Sequence, residues 1–268
     1  MLKRIYNAIC RLDLSFLGSK LHLQGNGPME VSYVLPDGNA TQLYPLMLAP
    51  QQGTAIIMPQ QGKNCKKGPG EQWLALWIWS HRLKGFYDNL TLTSRGHRYE
   101  PDFAYIDEQK GIYVDLEVDE PYSGGGKPTH YMNADGTNKD SQRNQNYLNA
   151  GWHVVRFSEE QIFCHTEECM KVVYTLLLNV GAIDELPKSL EKVPDLEAVP
   201  RWTYAESNEL KRKGFRKSYL GFDPAKMDIQ GYYKCLKLFM PIFRHSLTNI
   251  KLRKASTKEL LSFFVNRR

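Results

Sequence analysis

The period of apolar and polar positions changes several times along the chain, and each change marks an element. Through residue 67 the runs are short. MEVSYVLP (29–36) and ATQLYPLMLAP (40–50) flank the turn Asp37-Gly38-Asn39, and residues 53–64 end in a second polar stretch, so a β-rich N-terminal region is expected. At Gly68 the texture shifts. A Gly/Pro breaker precedes an apolar run from Trp73 to Leu83, which predicts a buried helix with Glu71 in its first turn. NLTLTS (89–94) alternates as a strand. Residues 97–107 and 112–119, joined by the turn EQKG, predict a β-hairpin. After a glycine- and proline-rich loop, residues 139–151 predict a helix capped by Gly151, and WHVVRF predicts another strand. Residues 158–181 predict one long amphipathic helix opened by Ser158 with Glu160 and Gln161.

The middle of the chain therefore orders its elements helix–strand–strand–strand–helix–strand, an α/β unit over 68–181. Residues 182–200 hold three prolines and little periodicity, and are expected to be a linker to a helical region, 201–268. Composition fits a folded chain: of 268 residues, 42% are hydrophobic and 24% charged, which excludes wholesale disorder. Five cysteines without a C-x-x-C pair argue against a disulfide scaffold and a cysteine zinc site. The N-terminal stretch lacks a signal-peptide core, and no apolar run reaches the roughly 20 residues a membrane helix needs. The expectation is a cytoplasmic protein with no membrane association.

Charge adds a direction. The chain carries +6 overall, yet residues 201–268 hold 16 Lys+Arg against 5 Asp+Glu, leaving 19 against 24 elsewhere. A basic region on a mildly acidic body suits binding to nucleic-acid phosphates, with Lys211, Arg212, Lys213, Arg216 and Lys217 as contacts. It equally suits a solvated helical surface. The carboxylates of the hairpin are more pointed. Asp102 starts one strand, while Glu117 and Asp119 end the next, two apart and so on one face. Cross-strand neighbours lie about 5 Å apart, close enough to share a hard divalent cation. A solvent-facing strand edge dotted with acids has the same spacing, and spacing alone leaves both open.

The series Tyr99-Glu100-Pro101-Asp102-Phe103 followed by Asp115-Leu116-Glu117-Val118-Asp119 resembles the PD-(D/E)XK nuclease superfamily. More narrowly, VDLEVDEPY, PTHY, DSQRNQNYL and GWHVVRFSEEQI resemble its very-short-patch-repair-like branch and the DUF559-type relatives, over about residues 68–165. The resemblance implies an αβββαβ restriction-endonuclease-like core and Mg2+-dependent (or Mn2+-dependent) cleavage of nucleic acid, DNA rather than RNA. The setting it suggests is repair, mobile elements or anti-phage defence. Asp102 matches the PD aspartate and Glu117 the D/E position, both implied metal ligands; Glu71 fits a third, water-mediated ligand and equally an acid favoured at a helix N-terminus by the macrodipole. Asp119 stands where most members have lysine. It could serve as a base or hold a second metal, with Lys127 or Arg143 supplying the missing positive charge.

His130 matches the downstream histidine and is expected to be a proton donor. Gln142 and Arg143 are expected to contact phosphate, although Asp140 and Arg143 could equally form a helix ion pair. Arg156 and the tryptophans 73, 77 and 79 read as structural. Gly124-Gly125-Gly126-Lys127 lacks phosphate-loop spacing, and His165, Cys164 and Cys169 lack a fourth zinc ligand. Rival expectations are a nuclease-fold subunit active only with a protein partner or as a homodimer, and a non-catalytic nucleic-acid-binding protein.

Overall fold

In a computed structural model of the protein, residues 43–62, 67–94, 96–133 and 139–221 are described. The expected strand at 29–36 and the basic stretch 222–268 lie outside these residues. In chain order the elements are β1 (Leu43–Tyr44), β2 (Leu46–Leu48), β3 (Gln60–Gln61), α1 (Pro69–Ser80), β4 (Phe86–Tyr87), β5 (Leu90–Ser94), β6 (His97–Tyr99), β7 (Phe103–Asp107) and β8 (Ile112–Asp119). They continue with α2 (Lys139–Asn149), β9 (His153–Ser158), α3 (Glu159–Cys164), α4 (Thr166–Asn179), α5 (Lys188–Glu191), β10 (Val199–Pro200), α6 (Tyr204–Lys213) and α7 (Phe215–Leu220).

The molecule is mixed α/β. Its central sheet runs β2-β9-β8-β7-β4. β8 pairs antiparallel with β7 and parallel with β9, and the parallel step is made by α2 crossing over the sheet. All eight residues of β8 are buried, because helices cover both faces of its middle. Val114, Leu116 and Val118 join Phe103, Val155 and Phe157 under α1, α3 and α4, whose Leu74, Ile78, Ile162, Met170 and Val173 complete the main core. The opposite face carries Tyr113, Asp115, Glu117 and Asp119 beneath α2. There Tyr113, Tyr147, Trp152 and Val154 form a second apolar cluster at one end, and the acids continue past it.

Three boundaries differ from the sequence reading. Residues 97–107 form two strands, interrupted at Glu100-Pro101-Asp102, where Pro101 has no N–H to continue a ladder. β6 pairs with β5 in a separate sheet ordered β3-β5-β6, so the strand beside β7 in the central sheet is β4 rather than 89–94. The helix expected over 158–181 is two, broken at His165 with φ −134°. The start at Ser158 holds, with a capping box in which its side chain and that of Gln161 serve each other's backbone.

The stretch 182–200, read as a linker, lies on the core with Leu190, Val193 and Leu196 buried, and β10 pairs with β1. Beyond it, Trp202 Nε1 donates to the Thr129 carbonyl at 2.9 Å, and Arg216 reaches Glu159 of α3 through Nε and Nη2, each 2.6 Å. Glu159 in turn accepts from the Gly70 N–H at 3.1 Å and from Tyr219 Oη at 2.7 Å. One carboxylate thus ties the first turn of α1 to α7.

Gly70 is required by this approach, since a Cβ there would lie 2.5 Å from Glu159 Cγ and 3.1 Å from Val118 Cγ1. Gly70→Ala is expected to destabilise the fold by about 1–3 kcal/mol in urea unfolding, as overpacking does. A change within a few tenths would show that α1 sits loosely on this contact.

Candidate active site

The register of β7 on β8 sets the geometry. Phe103 faces Leu116, so Asp102, one residue earlier, comes opposite Glu117. Asp102 Oδ2 accepts from the Val118 N–H at 2.8 Å, which holds its side chain over β8. The first turn of α1 adds Glu71, close enough for its charge to act on Asp102. Ahead of that helix, Lys67 Nζ donates to the Asp102 carbonyl at 2.8 Å and lies 4.3 Å from the Phe103 ring centre. From α2, Arg143 Nη2 donates to Glu117 Oε1 and to the Glu100 carbonyl, both at 2.5 Å. These groups border an open polar cleft of about 300 Å³, lined by Lys67, Glu71, Arg98, Tyr99, Asp102 and Arg143 among others.

The carboxyls here are under strain from one another. Burial first, then the charges of Glu117 and Glu71, push Asp102 well above the usual carboxylate range. Burial also pushes Glu71 up to about 7, although Lys67 opposes it. Asp115, beneath Glu117 on the same strand face, is driven well up by burial and then by Glu117, with which its carboxyl shares a hydrogen bond when protonated; no N–H or O–H of any other residue reaches either of its oxygens. Four carboxyls gather here around Lys67 and Arg143, with Arg156 also acting on Glu117 and Asp115 from behind. Hard oxygen donors with excess negative charge and orphaned lone pairs fit a divalent cation such as magnesium or manganese. Of the expected ligands, Glu71 and Asp102 line the cleft and Glu117 lies opposite Asp102, but among the described residues the acids and histidines whose ligand atoms come within 4.8 Å of one another are Asp119, His130 and Asp140.

Asp119 and His130 are not brought to this cleft. Asp119 lies one step along the same strand face, where Arg156 Nε and Nη2 engage it at 3.0 and 2.6 Å and Tyr44 Oη donates to it at 2.8 Å. His130 Nδ1 is 3.2 Å from Asp119 Oδ1 and 3.2 Å from Asp140 Oδ1, and Arg201 Nη2 reaches Asp140 Oδ2 at 3.0 Å. Asp119, His130 and Asp140 have the spacing of metal ligands. Their midst, however, already holds a cation. Arg156 Nη2 lies 2.6 Å from Asp119 Oδ1, 3.4 Å from His130 Nδ1 and 3.5 Å from Asp140 Oδ1. Burial opposes the Asp119 charge, but Arg156 and His130 outweigh it and hold that carboxyl below its usual range. Burial likewise opposes a charged His130, yet Asp119 and Asp140 raise it to about 9. The expected base and proton donor therefore form a buried ion network, adjoining the cleft where Arg156 Nη2 comes 3.6 Å from Glu117 Oε2.

Lys127 is exposed in a turn closed by Ser123 and does not line the cleft. Gln142 is exposed on α2, while Arg143 beside it points into the cleft. Of the C-terminal basic set, Lys211, Arg212, Lys213 and Lys217 are exposed, with Arg212 paired to Glu209. Arg216 is a correction to the expected nucleic-acid contacts: it is 2% exposed and committed to Glu159, because its helix turns that side to the core.

Lys67 and Asp115 escaped the sequence reading as site residues. Lys67 precedes a helix N-terminus, where a cation opposes the macrodipole, so its position was itself a signal. Asp115 shares the period-two face of Glu117. No protein-family model matches the chain, and no curated protein or solved structure does. Among the described residues, no helix is long and apolar enough to cross a membrane.

Two outcomes follow from the ion network. Arg156→Met strips Asp119 of its two-pronged partner, leaving His130 and the Tyr44 hydroxyl beside a buried charge, and is expected to cost about 3–5 kcal/mol in denaturant unfolding; a loss below 1 kcal/mol would contradict the pairing. His130 takes up its proton more readily folded, at about 9, than at the ordinary 6.5. Its contribution is complete below about pH 6.5 and is lost as pH rises through 9. The gap in thermal midpoint between the parent and His130→Asn should narrow across that interval, and a constant gap would count against a charged His130.

Proposed function

We propose that the protein is a metal-dependent nuclease, a phosphodiester hydrolase with a restriction-endonuclease-like core acting on nucleic acid, DNA by the sequence resemblance. The observation that carries this reading is the β7–β8 register, which sets Asp102 against the buried Glu117, with Asp102 and Glu71 lining an open cleft in front of it. The order α1, β4, β7, β8, α2, β9 within one mixed sheet supports it, with the β5–β6 hairpin inserted after β4. A divalent cation held by Glu71, Asp102 and Glu117 would polarise a phosphoryl oxygen and lower the pKa of a water. The chain's own groups do the rest. Lys67, fixed beside Asp102, offers the ammonium that Asp119 cannot, to orient water or meet phosphate charge. Arg143 offers a guanidinium fork at the far wall. The exposed Lys211, Lys213 and Lys217 extend positive charge along α6 and α7 for the nucleic-acid backbone.

A second reading, a binding protein without catalysis or a subunit awaiting its partner, draws support from one contact. Arg143 already neutralises Glu117 from within the chain. The deciding experiment incubates the protein with supercoiled plasmid, single-stranded DNA and RNA in EDTA, magnesium or manganese. Cutting is expected only with metal, abolished in Glu117→Ala and reduced about 10²–10³-fold in Lys67→Met, the usual loss on removing one preorganised charge-stabilising donor. Binding without cutting of any substrate would overturn the stand-alone enzyme. Full activity of Lys67→Met would leave the enzyme standing and remove the lysine's role.

A further inference from the structure

With Asp115 ionised, four buried polar atoms behind the cleft lack hydrogen-bond partners: Asp115 Oδ1 and Oδ2, Arg143 Nε and Tyr147 Oη. They share one space beneath α2. The Asp115 charge acts on both Arg143 and Tyr147, and the Arg143 charge acts on both Asp115 and Tyr147. The Arg143 guanidinium carbon lies 5.8 Å from the Tyr147 ring centre. An orphan donor beside two orphan acceptors is an arrangement that folded proteins seldom leave open. Arg143 leaves it open because its Nη2 is committed to Glu117 Oε1 and the Glu100 carbonyl.

We infer that Arg143 is a movable counter-cation, which holds Glu117 in the metal-free protein and passes to Asp115 when a divalent cation takes Glu117. This rests on the metal reading of Glu71, Asp102 and Glu117. Three features carry it. A divalent cation on Glu117 would meet the guanidinium charge already seated on Oε1, and the two cations repel. Asp115, fully buried and not lining the cleft, offers two unused acceptors on the adjacent step of the strand face. The guanidinium has five donors in a rigid fork, so a small rotation can trade the edge facing Glu117 for the unused Nε edge. Asp115 is then a positioning residue, acting on the metal site through Arg143. The exchange also explains how a buried acid can persist without a cation of its own: the guanidinium is engaged on Glu117, two residues along the strand.

The test reads metal affinity directly, by calorimetric titration of Mn2+ into the parent, Arg143→Gln, Asp115→Asn and the double variant at one pH and ionic strength. Arg143→Gln is expected to bind Mn2+ more tightly, within the roughly 5–150-fold usual for two coupled binding events. Asp115→Asn should weaken binding, and by at least about 5-fold more when Arg143 is present than in the Arg143→Gln background. An equal effect in both backgrounds would make Asp115 a plain source of negative charge or a ligand, and overturn the exchange. So would the absence of any effect. If neither the parent nor Arg143→Gln binds Mn2+, the metal reading itself falls, a result distinct from the other two. A second measurement needs no altered fold: the Nε–H resonance of Arg143, assigned with Arg143→Lys, should shift and become protected from solvent exchange when Mg2+ is added. An unmoved resonance in Mg2+-bound protein would refute the exchange.

Discussion

A buried strand face that carries three acids sets the terms for the rest of the structure. Asp115, Glu117 and Asp119 project from β8 beneath α2, all within 2% of full burial. A carboxylate removed from water needs a positive charge or several hydrogen bonds. The chain answers from different elements. β9 gives Arg156 to Asp119, α2 gives Arg143 to Glu117, and Asp115 receives no cation of its own. The path of α2 over the sheet, the parallel placement of β9 and the location of the loop around His130 all serve this accounting of charge. The end of the strand that is fully compensated is structural. Before it, Glu117 and Asp115 are less fully compensated, and they lie behind the cleft that Asp102 and Glu71 line.

Compensation also explains how the C-terminal segment is fixed. Arg201 reaches across to Asp140, and Arg216 to Glu159, each 2% exposed. Both lie in a stretch, 201–221, whose other cations, Lys211, Arg212, Lys213 and Lys217, face solvent. The two buried arginines act as pins, and the exposed Lys211, Lys213 and Lys217 are presented from the pinned helices. Glu159 contacts Gly70 as well, so the turn that carries Glu71 and the helix that carries Lys217 share an anchor. A charge asymmetry that suggests a separate binding region is thus partly interior scaffolding.

The middle of the chain was legible because period and punctuation agreed there. The alternation through 112–119, the Gly151 cap and the Ser158 capping box each reported a local preference that tertiary packing kept. Asp102 and Glu117 could be paired from the hairpin alone, since register follows from the turn. What stayed hidden depends on contacts between distant segments. The break at Pro101 splits one alternating run between two sheets, which a period-two pattern cannot show. The break at His165 interrupts an unbroken amphipathic pattern. Arg216 looked like its exposed neighbours, because one helical turn separates a solvent-facing lysine from a core-facing arginine. Lys67 reached the cleft only through the fold's approach of α1 to β7.

On the resemblance read from the sequence, the acid at 119, where PD-(D/E)XK nucleases usually have lysine, can be understood in terms of supply. A lysine at 119 would project from the same buried face as Glu117 and bring its own cation to the site. With Asp119 there instead, the strand end gains a negative charge that draws in Arg156, His130 and Arg201, and Asp140 joins the network through those cations. The cleft must draw its positive charge from outside the strand, and Lys67 and Arg143 arrive from the approach to α1 and from α2. Neither is locked in place as a strand residue is. Lys67 is tethered through one carbonyl, and Arg143 is held by a pair of oxygens with two more acceptors unfilled beside it. The departure from the expected pattern therefore replaces a fixed cation with two that can respond to what enters the cleft.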